Sequence, residues 1–172
     1  MSNIINFPRN KFPLIKSIRD LFEHRALWLY LLYDEANKEG INFEVIARKA
    51  INRCGIYQGT NLINKGNSNS LKDLRKKLFG FVGQKVFEMD IIESTDTTLS
   101  VDFHYCPLVN AWKKQNCSDK DIEILCDIAM CGDRGIAETF GATIDLPKTI
   151  AKGDPVCELR FRKTKVDPVL DK

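Results

Sequence analysis

The sequence predicts an α+β fold in which N-terminal helices precede a small antiparallel sheet made of a hairpin, further helices and returning strands. Three observations carry this prediction. Ile18, Leu21, Phe22, Arg25, Leu29, Leu32 and Tyr33 recur at the three- and four-residue spacing of one helix face. Residues 86–105 hold two runs of strand formers on either side of Ser94-Thr95-Asp96-Thr97, the pattern of a β-hairpin. Residues 156–163 alternate, with Cys157, Leu159 and Phe161 facing in and Glu158, Arg160 and Arg162 facing out. There are no internal repeats, and 172 residues can bury a core without cross-links. The expectation is a single domain over residues 1–172, with an irregular leader at 1–12 and an irregular tail at 164–172.

The first helix starts at Pro13, which suits a first helical turn, and stops at Gly40. A second runs from Asn42 to Cys54, with Phe43, Ile46, Ala47 and Ala50 on one side and Gly55 as its end. Gly59 to Ser70 is rich in turn formers and reads as a loop, either a solvated connection or a flap. Ser70 caps a third helix through Leu71, Leu74, Leu78 and Phe79, and Gly80 and Gly83 then loosen the pattern. The hairpin follows, with Val86 to Glu93 as its first strand and 99–106 as its second. Pro107 ends that strand and opens a short helix with Leu108, Val109, Ala111 and Trp112. Ser118, followed by Asp119, Asp121 and Glu123, caps a helix whose buried stripe is Ile122, Leu125, Cys126 and Ala129. Gly132-Asp133-Arg134-Gly135 reads as a break, followed by a helical turn from Ile136 to Phe140 that ends at Gly141. A short strand, Thr143 to Leu146, and a tight turn, Lys152 to Pro155, lead into the last strand.

The apolar fraction of 44% and charged fraction of 28% are those of an ordinary soluble globule. A net charge of +3, with lysine and arginine scattered and no basic patch interleaved with aromatics, argues against a nucleic-acid partner. The longest apolar run, Ala26 to Tyr33, is too short to span a bilayer. The first residues lack a signal-peptide pattern, so a cytoplasmic location is expected, and with it six free cysteine thiols rather than bridges.

The densest chemistry lies at 102–106. If the strand alternation holds, Asp102, His104 and Cys106 share one face, neighbours lying roughly 7 Å apart. A histidine beside a thiol lowers its pKa and makes a nucleophile, and a carboxylate beyond it fixes the histidine tautomer. The plainer alternative is a polar hairpin face and one buried cysteine. Arg134 could fork a substrate carboxylate and Asp133 could act as a base or orient a water, or the two could simply close a loop. Within the first helix, Glu23 and Arg25 are either exposed charges or face a pocket. His104, Cys106, Cys126, Cys157, Asp133 and Asp154 include zinc-ligand types, but no C-x-x-C pair exists, and Cys126 and Cys157 fit apolar stripes.

Three stretches together carry a resemblance: His-Tyr-Cys-Pro-Leu-Val-x-Ala-Trp (104–112), Ile-Ala-Met-x-Gly-Asp-Arg-Gly (128–135) and Lys-Thr-Ile-Ala-Lys-Gly-Asp-x-x-Cys-x-Leu-x-Phe (148–161). With Arg25-Ala26-Leu27-Trp28 and Asp34-Glu35 before them, they resemble the L-2-amino-thiazoline-4-carboxylic acid hydrolase family of bacterial proteins over about residues 20–163. The resemblance implies hydrolytic opening of a small cyclic amidine-like ring, from 2-amino-thiazoline-4-carboxylate to carbamoyl-cysteine or on a related C–N or C–S substrate. The catalytic candidates are then Cys106, His104 and Asp133, and the substrate-binding candidates Arg134, Asp102, Trp112 and Cys157. The ending Gly153-Asp154-x-x-Cys157-x-Leu-x-Phe161 is also similar to 4-vinyl reductase-type ligand-binding domains, which implies a rival function, a non-catalytic small-molecule sensor that forms a homodimer. Some such domains hold zinc, but Leu146 and Thr149 stand where their extra ligands would be, so no metal or other cofactor is expected. The expected partner is a small molecule, with neither nucleic acid nor membrane.

Overall fold

The structure, a computed structural model, describes residues 2–66 and 68–164. Helix α1 (Pro13–Lys38) opens on proline as its sequence requires, and the chain turns out of it at Gly40, whose φ of +68° suits glycine. Helix α2 spans Phe43–Gly66, twelve residues beyond the predicted end at Cys54. The predicted loop from Gly59 is therefore helical as far as Gly66; Asn67 lies outside the described residues. Helix α3 (Leu71–Leu78) is capped by Ser70, whose hydroxyl accepts from the Lys72 amide at 3.1 Å. A short α4 (Phe81–Phe87) takes up Val86 and Phe87, so the hairpin's first strand begins later than expected.

Strands β1 (Met89–Ser94) and β2 (Thr98–Phe103) form the predicted antiparallel hairpin, with a bulge between Ile91 and Glu93. Helix α5 (Pro107–Lys114) follows with Pro107 at its start, and α6 (Asp119–Thr139) is capped by Ser118 through the Asp121 amide at 3.1 Å. Strand β3 (Ala142–Asp145), a 3-10 turn (Ile150–Lys152) and β4 (Cys157–Lys163) complete the chain. The sheet is antiparallel throughout in the order β1-β2-β4-β3, which confirms the α+β class. Residues 165–172, most of the expected tail, lie outside the described residues.

Gly132-Asp133-Arg134-Gly135 is not a break: it lies within α6. The glycines there and in α2 share one physical reason. A Cβ at Gly55 would sit 2.0 Å from the Gly132 carbonyl oxygen, and one at Gly135 would sit 2.4 Å from the Asn52 carbonyl oxygen. The two helices cross with backbone against backbone, which only glycine permits, and this outweighs the helix cost of each glycine.

The register sorts the sheet into two faces. Leu99 pairs with Phe161, Val101 with Leu159 and Phe103 with Cys157, giving an apolar face buried beneath the helices. On the other face Asp102 lies opposite Glu158, and Arg160 bridges both at 2.7 and 3.1 Å. Above the apolar face Trp112, Val109, Ile122, Leu125, Ile136 and Phe140 are fully or almost fully buried. Trp112 also donates its indole N–H to the Ala26 carbonyl at 2.9 Å, which locks α5 to α1. The leader is not loose either. Ile4 is buried, and Arg19 (4% exposed) donates to the carbonyls of Asn10 and Val86 and pairs with Glu88 at 3.0 Å while lying over the Tyr105 ring.

Candidate functional site

Between the helices and the apolar sheet face lies a cavity of about 370 Å³. Phe22, Arg25 and Leu29 of α1 and Cys54, Gly55 and Gln58 of α2 stand along one side, with Phe79 and Phe87 from α3 and α4 along another. Met89, Phe103, Cys157 and Leu159 form the sheet wall; Cys106, Leu108 and Trp112 come from α5 and its cap, and Cys126, Met130 and Asp133 from α6. The lining is mostly apolar; its polar side chains are Arg25, Gln58, Asp133 and Thr149, beside the thiols of Cys54, Cys106, Cys126 and Cys157.

Four of the seven residues singled out from sequence line this cavity: Cys106, Asp133, Trp112 and Cys157. The other three do not. Strand β2 ends at Phe103 and the chain bends at His104, so the alternation that put Asp102, His104 and Cys106 on one face does not continue. Asp102 lies on the sheet's polar face with Arg160, at 2.7 Å. His104 pairs through Nε2 with Asp90 of the neighbouring strand at 2.8 Å. Arg134 lies in a separate outer groove, where it and Arg48 each hold Asp127 at 2.5 Å. Burial alone would raise the Asp127 carboxyl, but Arg134 and Arg48 hold it below the usual carboxylate range.

Cys106 occupies the N-cap of α5, without a side-chain cap hydrogen bond. Burial pushes its thiol above the ordinary value, and the nearby charge of Asp133 adds to this. Opposing both are the backbone amides of Val109 and Leu108 at the helix start and the Arg25 guanidinium. The thiol is therefore not the low-pKa thiolate that an adjacent histidine would have made. Burial likewise pushes Cys157 up to about 12 and Cys126 well above its usual value. Asp133 is the titrating group of the cavity: burial raises its carboxyl to about 6, against the pull of Arg25. All six cysteines are free, and among the described residues no three His, Cys, Asp or Glu side chains are placed to hold a metal ion.

Two residues of the site were less legible. Arg25 lines the cavity yet is exposed, so neither an exposed charge alone nor a buried pocket residue describes it, while Glu23 turns to Asn110 and Lys114 of α5 at 2.8 and 2.5 Å. Asn6, in the leader, was missed. Its side chain accepts from the Cys106 amide at 2.9 Å and donates to the Cys106 carbonyl at 2.8 Å, a two-point clamp on the backbone of the central thiol.

The family model for L-2-amino-thiazoline-4-carboxylic acid hydrolase matches residues 19–161 of the chain. The chain belongs to that hydrolase family. The match contains every cavity residue named above, and Asn6 lies before it. Comparison with curated proteins gives no match. Among solved structures, the hydrolase-family chain is similar to a trafficking protein particle complex subunit 3 from Naegleria fowleri, covalently bound to palmitic acid. The two are 16% identical with a TM-score of 0.56, over 83% of this chain and 95% of that one. At that identity the likeness is one of fold: helices packed on one face of an antiparallel sheet. No helix among the described residues is long and apolar enough to cross a membrane.

Proposed function

We propose that this protein is a hydrolase that opens a cyclic amidine-like ring inside the apolar cavity, with Cys106 as nucleophile and Asp133 as its base. The observation that carries this reading is that the two groups line one largely apolar cavity, with Cys106 at a helix N-terminus and the Asp133 carboxyl raised to about 6. A carboxyl of that kind is mostly ionised near neutrality yet close enough to the working pH to return its proton. The sulfur of Cys106 attacks the ring carbon between nitrogen and sulfur, and its proton passes to Asp133. The carbon–sulfur bond of the ring breaks, and the departing sulfur takes the proton back. Water then adds to the amidino-thioether on Cys106, expelling the thiol and leaving a carbamoyl amino acid. For 2-amino-thiazoline-4-carboxylate the sum is substrate plus one water to carbamoyl-cysteine. The amides of Val109 and Leu108 favour the thiolate as it is expelled. Arg25 is the cavity's cation for a substrate carboxylate; Arg134, tied to Asp127, is not placed for it.

The test is incubation of the purified protein with 2-amino-thiazoline-4-carboxylate, with carbamoyl-cysteine measured. Cys106→Ser should lower turnover by about a thousandfold or more without loss of fold, since a nucleophile acts as part of a unit. Turnover retained in that variant would remove the nucleophilic role and leave Asp133 activating water.

A second reading is a non-catalytic ligand-binding domain. It is favoured by the apolar character of the cavity and by the fold shared with a protein that holds palmitic acid covalently. On that reading Cys106 carries or contacts a ligand that is never released as product. Tight retention of a ligand with no product from any cyclic amidine acid would select it.

A further inference from the structure

We infer that the ligand of this site is an organic acid bearing an apolar group the size of a phenyl ring, with its carboxylate at Arg25, its reacting carbon at Cys106 and its apolar group against Phe79, Phe87 and Phe103. The placement of the reacting carbon rests on the hydrolase reading; the rest stands on the shape and chemistry of the cavity.

The cavity is larger and more apolar than an unsubstituted ring acid requires. Its volume of about 370 Å³ lies in the range of pockets that enclose drug-sized molecules, roughly 300–1,000 Å³. At ~30 Å³ per water it would hold about a dozen water molecules. A five-membered ring with an amino group and a carboxylate fills a minor part of that and leaves phenylalanine faces against solvent. Arg25, Asp133, Cys106 and Cys126 share the wall, and Arg25 and Asp133 both act on the Cys106 thiol. Beside them, Phe103 forms the hub of an aromatic cluster, 6.1 Å from Phe79 and 5.4 Å from Phe87, with Phe22 a further 5.1 Å from Phe87 edge to face. Rings that already pack edge to face and tilted present both edges and faces to a further ring.

The anion site follows from the lining. Among the described residues Arg25 is the one lysine or arginine on the cavity wall, and it forms no ion pair there. It lies against the Phe22 ring, 5.3 Å from its centroid, on the cavity wall. An acid bound there would set its carboxylate at Arg25 while its hydrocarbon displaced water from the phenylalanine rings.

The experiment is calorimetric titration of the unmodified protein with 2-aminothiazole-4-carboxylate and with its 5-phenyl derivative. These aromatic rings are not opened, so binding is read without turnover, and the thiazoline assay reports separately on the reaction. The phenyl acid should bind roughly tenfold to a hundredfold more tightly than the bare acid, as expected for burial of one aromatic side chain's worth of surface. Arg25→Met should weaken the phenyl acid about tenfold and leave its methyl ester unchanged. Phe103→Ala should erase the advantage of the phenyl group, and Phe87→Leu, a milder change, should reduce it if the first variant fails to fold. Equal or weaker binding of the phenyl acid, or equal loss of acid and ester in Arg25→Met, would overturn the assignment.

Discussion

A single asparagine from the leader clamps the backbone of Cys106, the thiol proposed as nucleophile. Asn6 is 4% exposed and satisfies both the amide and, with the Asn110 amide, the carbonyl of Cys106. Asn6→Ala leaves a buried donor without a partner, and a loss of about 1–3 kcal/mol is expected in denaturant unfolding. Turnover should fall more than stability explains, because the Cys106 sulfur loses its bearing on the cavity. Unchanged turnover in a folded Asn6→Ala protein would show that the clamp is only structural. Asn6 illustrates why part of the site was illegible: its role arises from two chain segments about a hundred residues apart, and nothing in its neighbourhood marks it. Cys106 was legible because Pro107 fixes a strand-to-helix junction by local chemistry. The Asp102–His104–Cys106 face was misread for a related reason. Alternation belongs to an extended strand and lapses at the bend after Phe103, where pairing with Glu88 and Phe87 takes the chain aside.

Between elements, the crossing of α2 and α6 closes one wall of the cavity. Gly55 and Gly132 meet there and both line it. Gly55→Ala puts a methyl group 2.0 Å from a backbone oxygen, which no side-chain rotation can relieve. The helices must part, at a cost of about 2–3 kcal/mol or more. A useful contrast is Gly40→Ala, where a Cβ meets nothing and only the φ of +68° opposes it, at about 1 kcal/mol. Equal destabilisation of the two variants in urea would contradict the close crossing. Most of the other helices and the hairpin were legible because capping, periodicity and turn chemistry are local. Ser70, Pro107 and Ser118 each mark a boundary the structure keeps. The glycines of α2 and α6 were not legible, because a glycine that breaks a helix and one that admits a neighbouring backbone look the same in one sequence. What distinguishes them is the partner helix.

Across the whole molecule, the cavity is maintained against its own electrostatics, and pH should reveal this. Asp133 titrates at about 6 in the fold and at the ordinary carboxylate value, about 4, when unfolded. The folded state therefore holds this proton more tightly. The group's favourable contribution is complete below about pH 4 and is lost as pH rises through about 6, a change on the order of 3 kcal/mol. Glu88 and Asp127 work in the opposite direction. Hydrogen bonds and arginines hold both below their usual range despite burial, so their contribution is present above that range and lost in acid. Asp133→Asn removes only the first term. It should leave stability near pH 4 almost unchanged and raise it toward 3 kcal/mol at pH 7, a gain in Tm of roughly 6–12 °C. If Asp133 is the base, the same variant should lose turnover, and the wild-type rate should fall on the acid side of about pH 6. Thermal unfolding of both proteins from pH 4 to 8 would measure the difference directly. Parallel curves would mean that Asp133 is not a desolvated carboxylate, and the basis for its role at Cys106 would be gone. A variant that becomes more stable as it becomes inactive would instead locate the molecule's stored electrostatic cost at the group that performs the chemistry.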